Sequence, residues 1–262
     1  MKKYLALIRI QFKSNFCYRI STYAGIVVGI LQVFVMYYIW GEVYKNSESI
    51  AGYDKGQIIT YFIFSIVIYR LIEFGITLRV SDLVRSGEIA LFVVKPINFI
   101  TNLFFESVGT LTASLFTMVL PISIFCGLCF DIYLQTSFMS IFAFVVSMFI
   151  AVAISLYIDI MFGLLTFWTE NGWGLRVIRQ AVIKLFSGAV IPLAFLPVWF
   201  NKVTDFLPFK SLIDTPINIY LNEFSVDTLQ LIGLQLVWLV ILMVLSRLLY
   251  GFIVKRLDIN GG

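Results

Sequence analysis

The sequence contains no histidine, few charged residues and only three cysteines. Without histidine the chain lacks the commonest metal ligand and the usual general base near neutral pH, which excludes most metallohydrolases and proton shuttles. It also has no G-x-x-x-x-G-K-[ST], G-x-S-x-G or G-x-G-x-x-G motif, so it cannot itself be a P-loop ATPase. We therefore expect a protein that is not an enzyme and that binds no metal or cofactor of its own.

The three cysteines, Cys17, Cys126 and Cys129, are too few for a disulfide framework. Cys126 and Cys129 have the C-x-x-C spacing, but they lie in an apolar run without the strand and helix that surround a redox motif. We interpret them as packing residues, and a redox-active dithiol is the alternative.

Charge is scarce because the chain is dominated by apolar residues: 60% are hydrophobic, 17% aromatic and 13% charged. Crossing a bilayer core of about 30 Å takes roughly 20 apolar residues in a helix. Six segments are apolar enough, so we predict an all-α membrane protein with six transmembrane helices in a single transmembrane domain over residues 1–262. The segments are 23–40, 57–75, 103–130, 138–168, 178–199 and 229–253.

Lysine and arginine are distributed unevenly between the two sides of these spans. Thirteen fall on the side of the N-terminus and four on the other side, which places both termini in the cytoplasm by the positive-inside rule. The thirteen are Lys2, Lys3, Arg9, Lys13, Arg19, Arg79, Arg85, Lys95, Arg176, Arg179, Lys184, Lys255 and Arg256, and the four are Lys45, Lys55, Lys202 and Lys210.

A long charged interruption, residues 77–98, separates the second and third predicted spans. Apolar and polar residues alternate at helical spacing, which predicts a short amphipathic helix over 77–86 at the cytoplasmic membrane surface. Glycine ends this helix, 88–94 returns toward lipid, and Lys95-Pro96 precedes the third span. The residues of interest are Arg79, Val80, Asp82, Leu83, Arg85, Ser86 and Gly87.

The N-terminal segment, residues 1–20, carries Leu5, Ile8 and Phe12 at helical spacing beside basic residues. This pattern predicts an amphipathic helix along the inner leaflet. Two roles remain open for it, a positive anchor that sets topology or a surface that receives a partner.

The connection over residues 200–227 is too apolar for a simple solvated loop. We predict two short helices half sunk in the outer leaflet, preceded by a fifth span that glycine and proline make short and irregular at its far end. The residues predicted to form this outer gate or cap are Pro192, Pro197, Phe206, Pro208, Phe209 and Pro216.

Five charged residues fall within or near the spans, toward the cytoplasmic interface: Arg70, Glu73, Glu106, Asp159 and Arg247. Charges inside a membrane are costly and mark functional sites by default. Two interpretations are open. The charges reach the interface or pair for packing, Arg70 with Glu73 or Glu106, or they form a network that links the 77–86 helix to the spans.

Three stretches carry a resemblance to a known family: SGEIALFVVKPIN after the second span, FSGAVIPLAFLP in the fifth and LPFKSLIDTPINIYL before the sixth. Together with the basic N-terminal helix they resemble the membrane subunits of type-2 ABC exporters, in particular single-domain bacterial permeases. The resemblance implies a bacterial cytoplasmic membrane, a second permease that is identical or similar, and separate ABC ATPase subunits in the cytoplasm that bind ATP and Mg²⁺.

In that family the loop after the second span carries the coupling helix, which corresponds here to residues 77–86. The N-terminal helix would be a second ATPase contact, and the outer segment would close the export path. Aromatic-rich spans and a shallow outer cap favour an amphipathic substrate such as a lipid, peptide antibiotic or drug. Membrane lipids are the other expected neighbours, and no nucleic acid is expected.

An alternative is a six-span substrate-binding module of the energy-coupling-factor type. Such a module needs a polar pocket near the outer face, and the apolar 200–227 segment disfavours it. A membrane-embedded enzyme would need acid, base or metal-binding residues that face one another, and the scattered carboxylates do not indicate such a site.

Overall fold

The computed structural model describes residues 2–15, 19–89, 92, 98–169 and 171–260. Helices dominate these residues. The predicted break at Lys95-Pro96, most of the predicted return over 88–94, and Cys17 lie outside them. The α-helices are α1 (Lys2–Asn15), α2 (Arg19–Val43), α3 (Lys55–Leu71), α4 (Ile76–Arg85), α5 (Phe99–Ser114), α6 (Leu120–Cys129), α7 (Phe138–Thr169), α8 (Gly172–Phe186), α9 (Val198–Asp205), α10 (Asp214–Leu221) and α11 (Val226–Asn260).

Shorter elements connect these helices. Strands β1 (Ser49–Ile50) and β2 (Tyr53–Asp54) form an antiparallel hairpin between α2 and α3. A π-helical turn joins α5 to α6, and turns of 3₁₀ helix precede β1, α9 and α10. We call the end of the bundle that holds α4 the α4 end, and the end that holds α9, α10 and the hairpin the cap end.

Five helical stretches of the described residues are long and apolar enough to cross a membrane. They correspond to five of the six predicted spans. The stretches are Thr22–Asn46, Lys55–Arg85, Phe99–Cys129, Phe138–Thr169 and Val226–Ile253.

The fifth predicted span, residues 178–199, is not confirmed as a membrane-crossing helix. Helix α8 has 15 residues, which give about 22 Å at 1.5 Å per residue and fall short of a bilayer core of about 30 Å. It ends before Gly188, whose φ of +80° is the left-handed conformation that glycine adopts most readily. A Cβ at this position would lie 2.4 Å from the Tyr61 hydroxyl oxygen.

Helix α7 is the centre of the bundle and packs against α4, α8, α10 and α11. Association between helices in a bilayer depends on close packing and on polar side chains that bond across the interface. The Ser155 hydroxyl of α7 donates to the Ile72 carbonyl at 2.9 Å. On the other side, Gln235 of α11 accepts from the Ser147 hydroxyl at 2.9 Å and donates to the Ser211 carbonyl at 2.8 Å.

Two short helices form the predicted outer segment, but they differ in burial. Helix α9 exposes Trp199, and beyond its end Phe206 is 81% exposed. In contrast, α10 and the turn before it belong to the core between α3 and α7, with Leu212 and Ile217 fully buried. The second helix is therefore covered by protein and is not half sunk in the leaflet as predicted.

Helix α1 packs along α5 through aromatic pairs and one close approach. The rings of Tyr4 and Phe105 stack with centroids 4.4 Å apart, and the ring of Phe12 meets that of Phe116, in the π-helical turn after α5, edge-on at 6.5 Å. Between them, a Cβ on Gly109 would lie 2.7 Å from a backbone oxygen of α1. These contacts advance together along both helices, so α1 lies alongside α5. The interfacial position of residues 1–20 stays a prediction.

Candidate functional site

Helix α4 covers Ile76–Arg85, within one residue of the predicted 77–86 at each end. Gly87 follows its C-cap with a φ of +73°, donates to the Val84 carbonyl at 3.2 Å, and so ends the helix as predicted. The helix has one apolar and one polar face. We call the polar face, formed by Arg79, Asp82, Arg85 and Ser86, the α4 polar face.

The two faces of α4 differ sharply in exposure. Val80 and Leu83 are buried at 0% and 2% exposure, in a cluster with residues of α5 and α7. All four residues of the α4 polar face are exposed. The apolar face therefore packs against protein, whereas the periodicity predicted a helix that rests on lipid.

Asp159 of α7 fixes the N-terminus of α4. Its carboxylate is fully buried and accepts from the backbone N–H groups of Ile76 and Thr77, each at 3.1 Å, and from the Thr77 hydroxyl. The first N–H groups of a helix have no partner within the helix and carry partial positive charge, so a carboxylate satisfies both requirements. Asp159 is thus a link between α7 and α4.

Arg179 of α8 also faces Asp159. Its Nε lies 3.4 Å from Asp159 Oδ1, and the side chain is 2% exposed. That nitrogen makes no hydrogen bond among the described residues, so the contact is an ion pair without a directed bond. The three helices α4, α7 and α8 therefore meet at one buried ion pair.

Two glycines let α4 approach its neighbours closely. A Cβ on Gly163 of α7 would lie 3.1 Å from Val80 Cγ2. A Cβ on Gly172, the first residue of α8, would lie 2.3 Å from the Cβ of Ser81. Because these contacts leave no spare space, a displacement of α4 toward α7 or α8 must displace that helix.

Within the described part of the chain, the α4 polar face makes one ion pair with a neighbouring helix. Arg79 Nε lies 3.7 Å from Glu106 Oε2 of α5, with the two side chains 50% and 18% exposed. Glu106 also accepts from the Asn102 side chain at 2.9 Å. A pair this exposed contributes at most about 1 kcal/mol, so it orients Arg79 more than it stabilises the fold.

Helices α3 and α8 are joined by polar contacts that we call the α3–α8 seam. Glu73, just after α3, accepts from Arg176 at 2.6 Å and from Gln180 at 2.5 Å. One turn toward the cap end, the Lys184 amine lies 5.3 Å from the centre of the Tyr69 ring. The succession of contacts shows that the two helices run antiparallel.

A cavity of about 450 Å³ lies at this seam and is lined by residues of α2, α3, α8 and the segment after α8. Arg70, Glu73 and Lys184 line it together with Phe62 and Met36. Charged side chains and apolar side chains therefore share one cavity.

At the cap end the seam finishes at a buried carboxyl group, Asp214. The Tyr61 hydroxyl lies 3.0 Å from Asp214 Oδ1 and 3.1 Å from the Gly188 carbonyl oxygen, and the Asp214 backbone N–H donates to the Ser187 carbonyl at 3.0 Å. Burial raises the pKa of the Asp214 carboxyl, although Lys210 and the hydrogen bonds oppose this.

This raised pKa predicts a pH dependence of stability. In the range between the ordinary pKa and the raised one, the folded protein keeps a proton that the unfolded chain has released, so the free energy of unfolding falls as pH rises. We expect Asp214→Asn to flatten this fall by up to about 1.4 kcal/mol per pH unit. Thermal unfolding in neutral detergent, from about pH 4 upward, measures the difference, and equal slopes for the two proteins would contradict it.

The five charged residues predicted within the spans do not form one network among the described residues. Glu73 pairs with Arg176, not with Arg70, and Glu106 pairs with Arg79. Arg247 lines a separate cavity of about 380 Å³ with residues of α5, α7 and α11. Two of the five, Glu106 and Asp159, do contact α4.

The six residues of the predicted outer gate do not share one surface. Pro197 and Phe206 are exposed, Phe209 is half-buried, and Pro192, Pro208 and Pro216 are buried. Phe209 lies beside Phe186 of α8, with ring centroids 6.1 Å apart. Their role as a gate stays a prediction.

Sequence reasoning missed four residues that build the site: Thr77, Gly172, Arg176 and Arg179. The two arginines served only to set the topology. Their spacing of three places them on one face of α8, and that is a usable signal because a charged face on a helix in a membrane needs partners.

The site holds no evident position for a metal. Across the described ranges, no group of three or more Cys, Asp or Glu side chains could hold a metal ion. Cys126 and Cys129 are free thiols, the first buried and the second exposed.

Several apolar helices long enough to cross a bilayer, joined by buried polar contacts, define a multi-pass α-helical membrane protein. The family model for ABC-2 family transporter proteins matches residues 26–261, nearly the whole chain, so the chain belongs to that family. It is a permease of an ABC transporter, and transporters of this family work with ABC ATPase subunits. Comparison with curated proteins gives no match.

Proposed function

We propose that this chain is one of two permeases in an ABC exporter and that α4 is its contact with the ATPase. The observation that carries the proposal is the asymmetry of α4, since the α4 polar face is exposed while the other face packs in the core. A helix that transmits movement from a partner protein needs an exposed face for the partner to bind and a second face packed against the rest of the bundle. The α4 end would be cytoplasmic, as the distribution of basic residues predicts.

The contacts of α4 suggest how a movement of the ATPase subunits would be transmitted to the other helices. Movement of the ATPase subunits on ATP binding would displace α4, and Asp159 with Gly172 would pass the displacement to α7 and α8. Helix α8 would then shift against α3 along the α3–α8 seam. Rigid packing with discrete arrangements is the usual way in which such small shifts become larger movements.

The export path would run along the cavity at the α3–α8 seam. The lining comes from α2, α3, α8 and the segment after α8, and three of its residues, Gln32, Lys184 and Val190, are exposed. A second permease, identical or similar, would supply the facing wall, and the mixture of apolar and charged lining suits an amphipathic substrate.

Neutralising the α4 polar face tests the ATPase contact. We expect the triple variant Arg79→Gln, Asp82→Asn, Arg85→Gln to retain about a tenth or less of the ATPase that copurifies with the chain, because interface charges are lost. The amount of ABC ATPase subunit pulled down per permease, from cells that produce both, gives the result.

A matched control removes the same charges at the cap end: Lys55→Gln, Glu48→Gln and Lys202→Gln, all at exposed positions. This variant should copurify with the ATPase at the wild-type level. Equal ATPase recovery with both triple variants would show that α4 is not the contact.

A further inference from the structure

We infer that the cavity at the α3–α8 seam is a binding site for an anionic amphiphile, a molecule with one negatively charged head group and an apolar tail. Binding itself requires no ATPase. The further step, that such a molecule is also the exported substrate, rests on the proposed function.

The cavity carries two basic side chains that no carboxylate of the described residues neutralises. Of its three cationic residues, Arg176 is paired with Glu73 at 2.6 Å. Neither Arg70 nor Lys184 has an ion-pair partner among the described residues, although Lys184 lies over the ring of Tyr69. The lining therefore has a net positive charge, and Glu73 is already engaged, so an anion fits and a cation does not.

The apolar part of the lining lies on the cap side of these charges. Phe62 is eight residues before Arg70 in the same helix, which places it about 12 Å away along the axis. Met36, Ile66 and Val190 also line this part of the cavity. An occupant with its head group near Arg70 and Lys184 would lay an apolar chain against these side chains.

The cost of placing a cation within a membrane supports the same conclusion. Unpaired basic residues within a membrane-crossing stretch are expensive and are retained where they contact water, a partner or a bound ion. Arg70 lies in the stretch Lys55–Arg85, 15 residues from its first residue. A bound carboxylate or phosphate head group would supply the missing partner through charge-assisted hydrogen bonds.

Photolabelling tests the site in the full chain, purified in a neutral detergent. The probe is a palmitate with a diazirine in its chain, and its methyl ester is the neutral match. We expect the acid to label α2, α3 or α8 about tenfold more than the ester does, as one charge-assisted contact worth one order of magnitude implies. Arg70→Gln with Lys184→Gln should abolish this preference.

Two further variants distinguish the effect of losing charge from a general effect of the substitutions on the fold. Arg70→Lys with Lys184→Arg keeps both charges and should keep the preference for the acid. Lys45→Gln with Lys202→Gln removes two charges at the cap end and should also leave it unchanged. Equal labelling by acid and ester, or an undiminished preference after Arg70→Gln with Lys184→Gln, would overturn the inference.

The occupant could be a resident lipid or the transported molecule, and two arms distinguish them. Displacement of the probe by phosphatidylglycerol, in nanodiscs otherwise made of phosphatidylcholine, identifies a lipid. Retention of the probe there, with ATP-driven uptake of palmitate into inverted vesicles that requires Arg70 and Lys184, identifies cargo. Since labelling needs no ATPase, failure of the ATPase contact would leave the binding result intact.

Discussion

Replacing Asp159 by alanine should destabilise the protein by about 3–5 kcal/mol, the range for removing one partner of a buried ion pair. The substitution leaves Arg179 buried at 2% exposure without its carboxylate. It also leaves the N–H groups of Ile76 and Thr77 without an acceptor. Thermal unfolding in neutral detergent measures the loss, and proteolysis after Arg79 or Arg85 should report the release of α4.

A double-mutant cycle with Arg179 identifies which contact matters. Asp159 keeps three donors from α4 when Arg179 is absent, whereas Arg179 Nε has no hydrogen bond even with Asp159 present. We therefore expect Arg179→Met to cost less than Asp159→Ala, and the double variant to lie between them. If Arg179→Met proved the more destabilising change, the carboxylate would serve the ion pair and not the helix N-terminus.

The local features of α4 could be predicted from the sequence because each depends on nearby residues. Apolar spacing at Val80 and Leu83 determines which face is buried, and Gly87 determines where the helix ends. The same periodicity could not distinguish lipid from protein as the apolar neighbour. Both environments favour the same side chains, so the burial of α4 against α7 required the tertiary structure.

The partners of the buried charges could not be predicted because they lie far apart in the sequence. Glu73 meets Arg176 across 103 residues, and Asp159 meets Thr77 across 82. The predicted pair of Arg70 and Glu73 was based on the i, i+3 spacing, which brings two side chains together only when both lie in one helix. In the structure α3 ends at Leu71, so residues 70 and 73 no longer share one helix.

The fifth predicted span, residues 178–199, is not confirmed as a membrane-crossing helix, and Gly188 gives a physical reason. Hydropathy continues through residues 178–199, but the helix stops where glycine adopts a positive φ and Tyr61 occupies the space of a Cβ. A hydropathy average over a window of residues detects their apolar character but not the backbone conformation that ends the helix. Likewise, the apolar residues of α10 indicated that this helix is shielded from water. They did not indicate whether lipid or the rest of the protein shields it.

The second large effect is expected at Gly172. Replacing it by alanine would place a Cβ 2.3 Å from the Cβ of Ser81, on a buried face of α4. Either α4 or α8 must shift, at a cost of about 1–3 kcal/mol typical of overpacking. Because both helices lie on the proposed route from the ATPase, we expect ATP-driven transport to fall more steeply than stability does.

Two controls separate the contact from a general effect of adding a methyl group. Gly233→Ala in α11 adds the same group where no atom of the described residues outside the helix backbone lies within 4 Å, so it should leave transport unchanged and should not lower stability. Adding Ser81→Gly to Gly172→Ala removes the opposing Cβ and Oγ, so the double variant should recover transport to the level of Ser81→Gly alone. If the double variant recovered stability but not transport, the α4–α8 contact would not be the one that couples the ATPase to transport. The packing between α4 and α8 would then be restored while transport remained impaired.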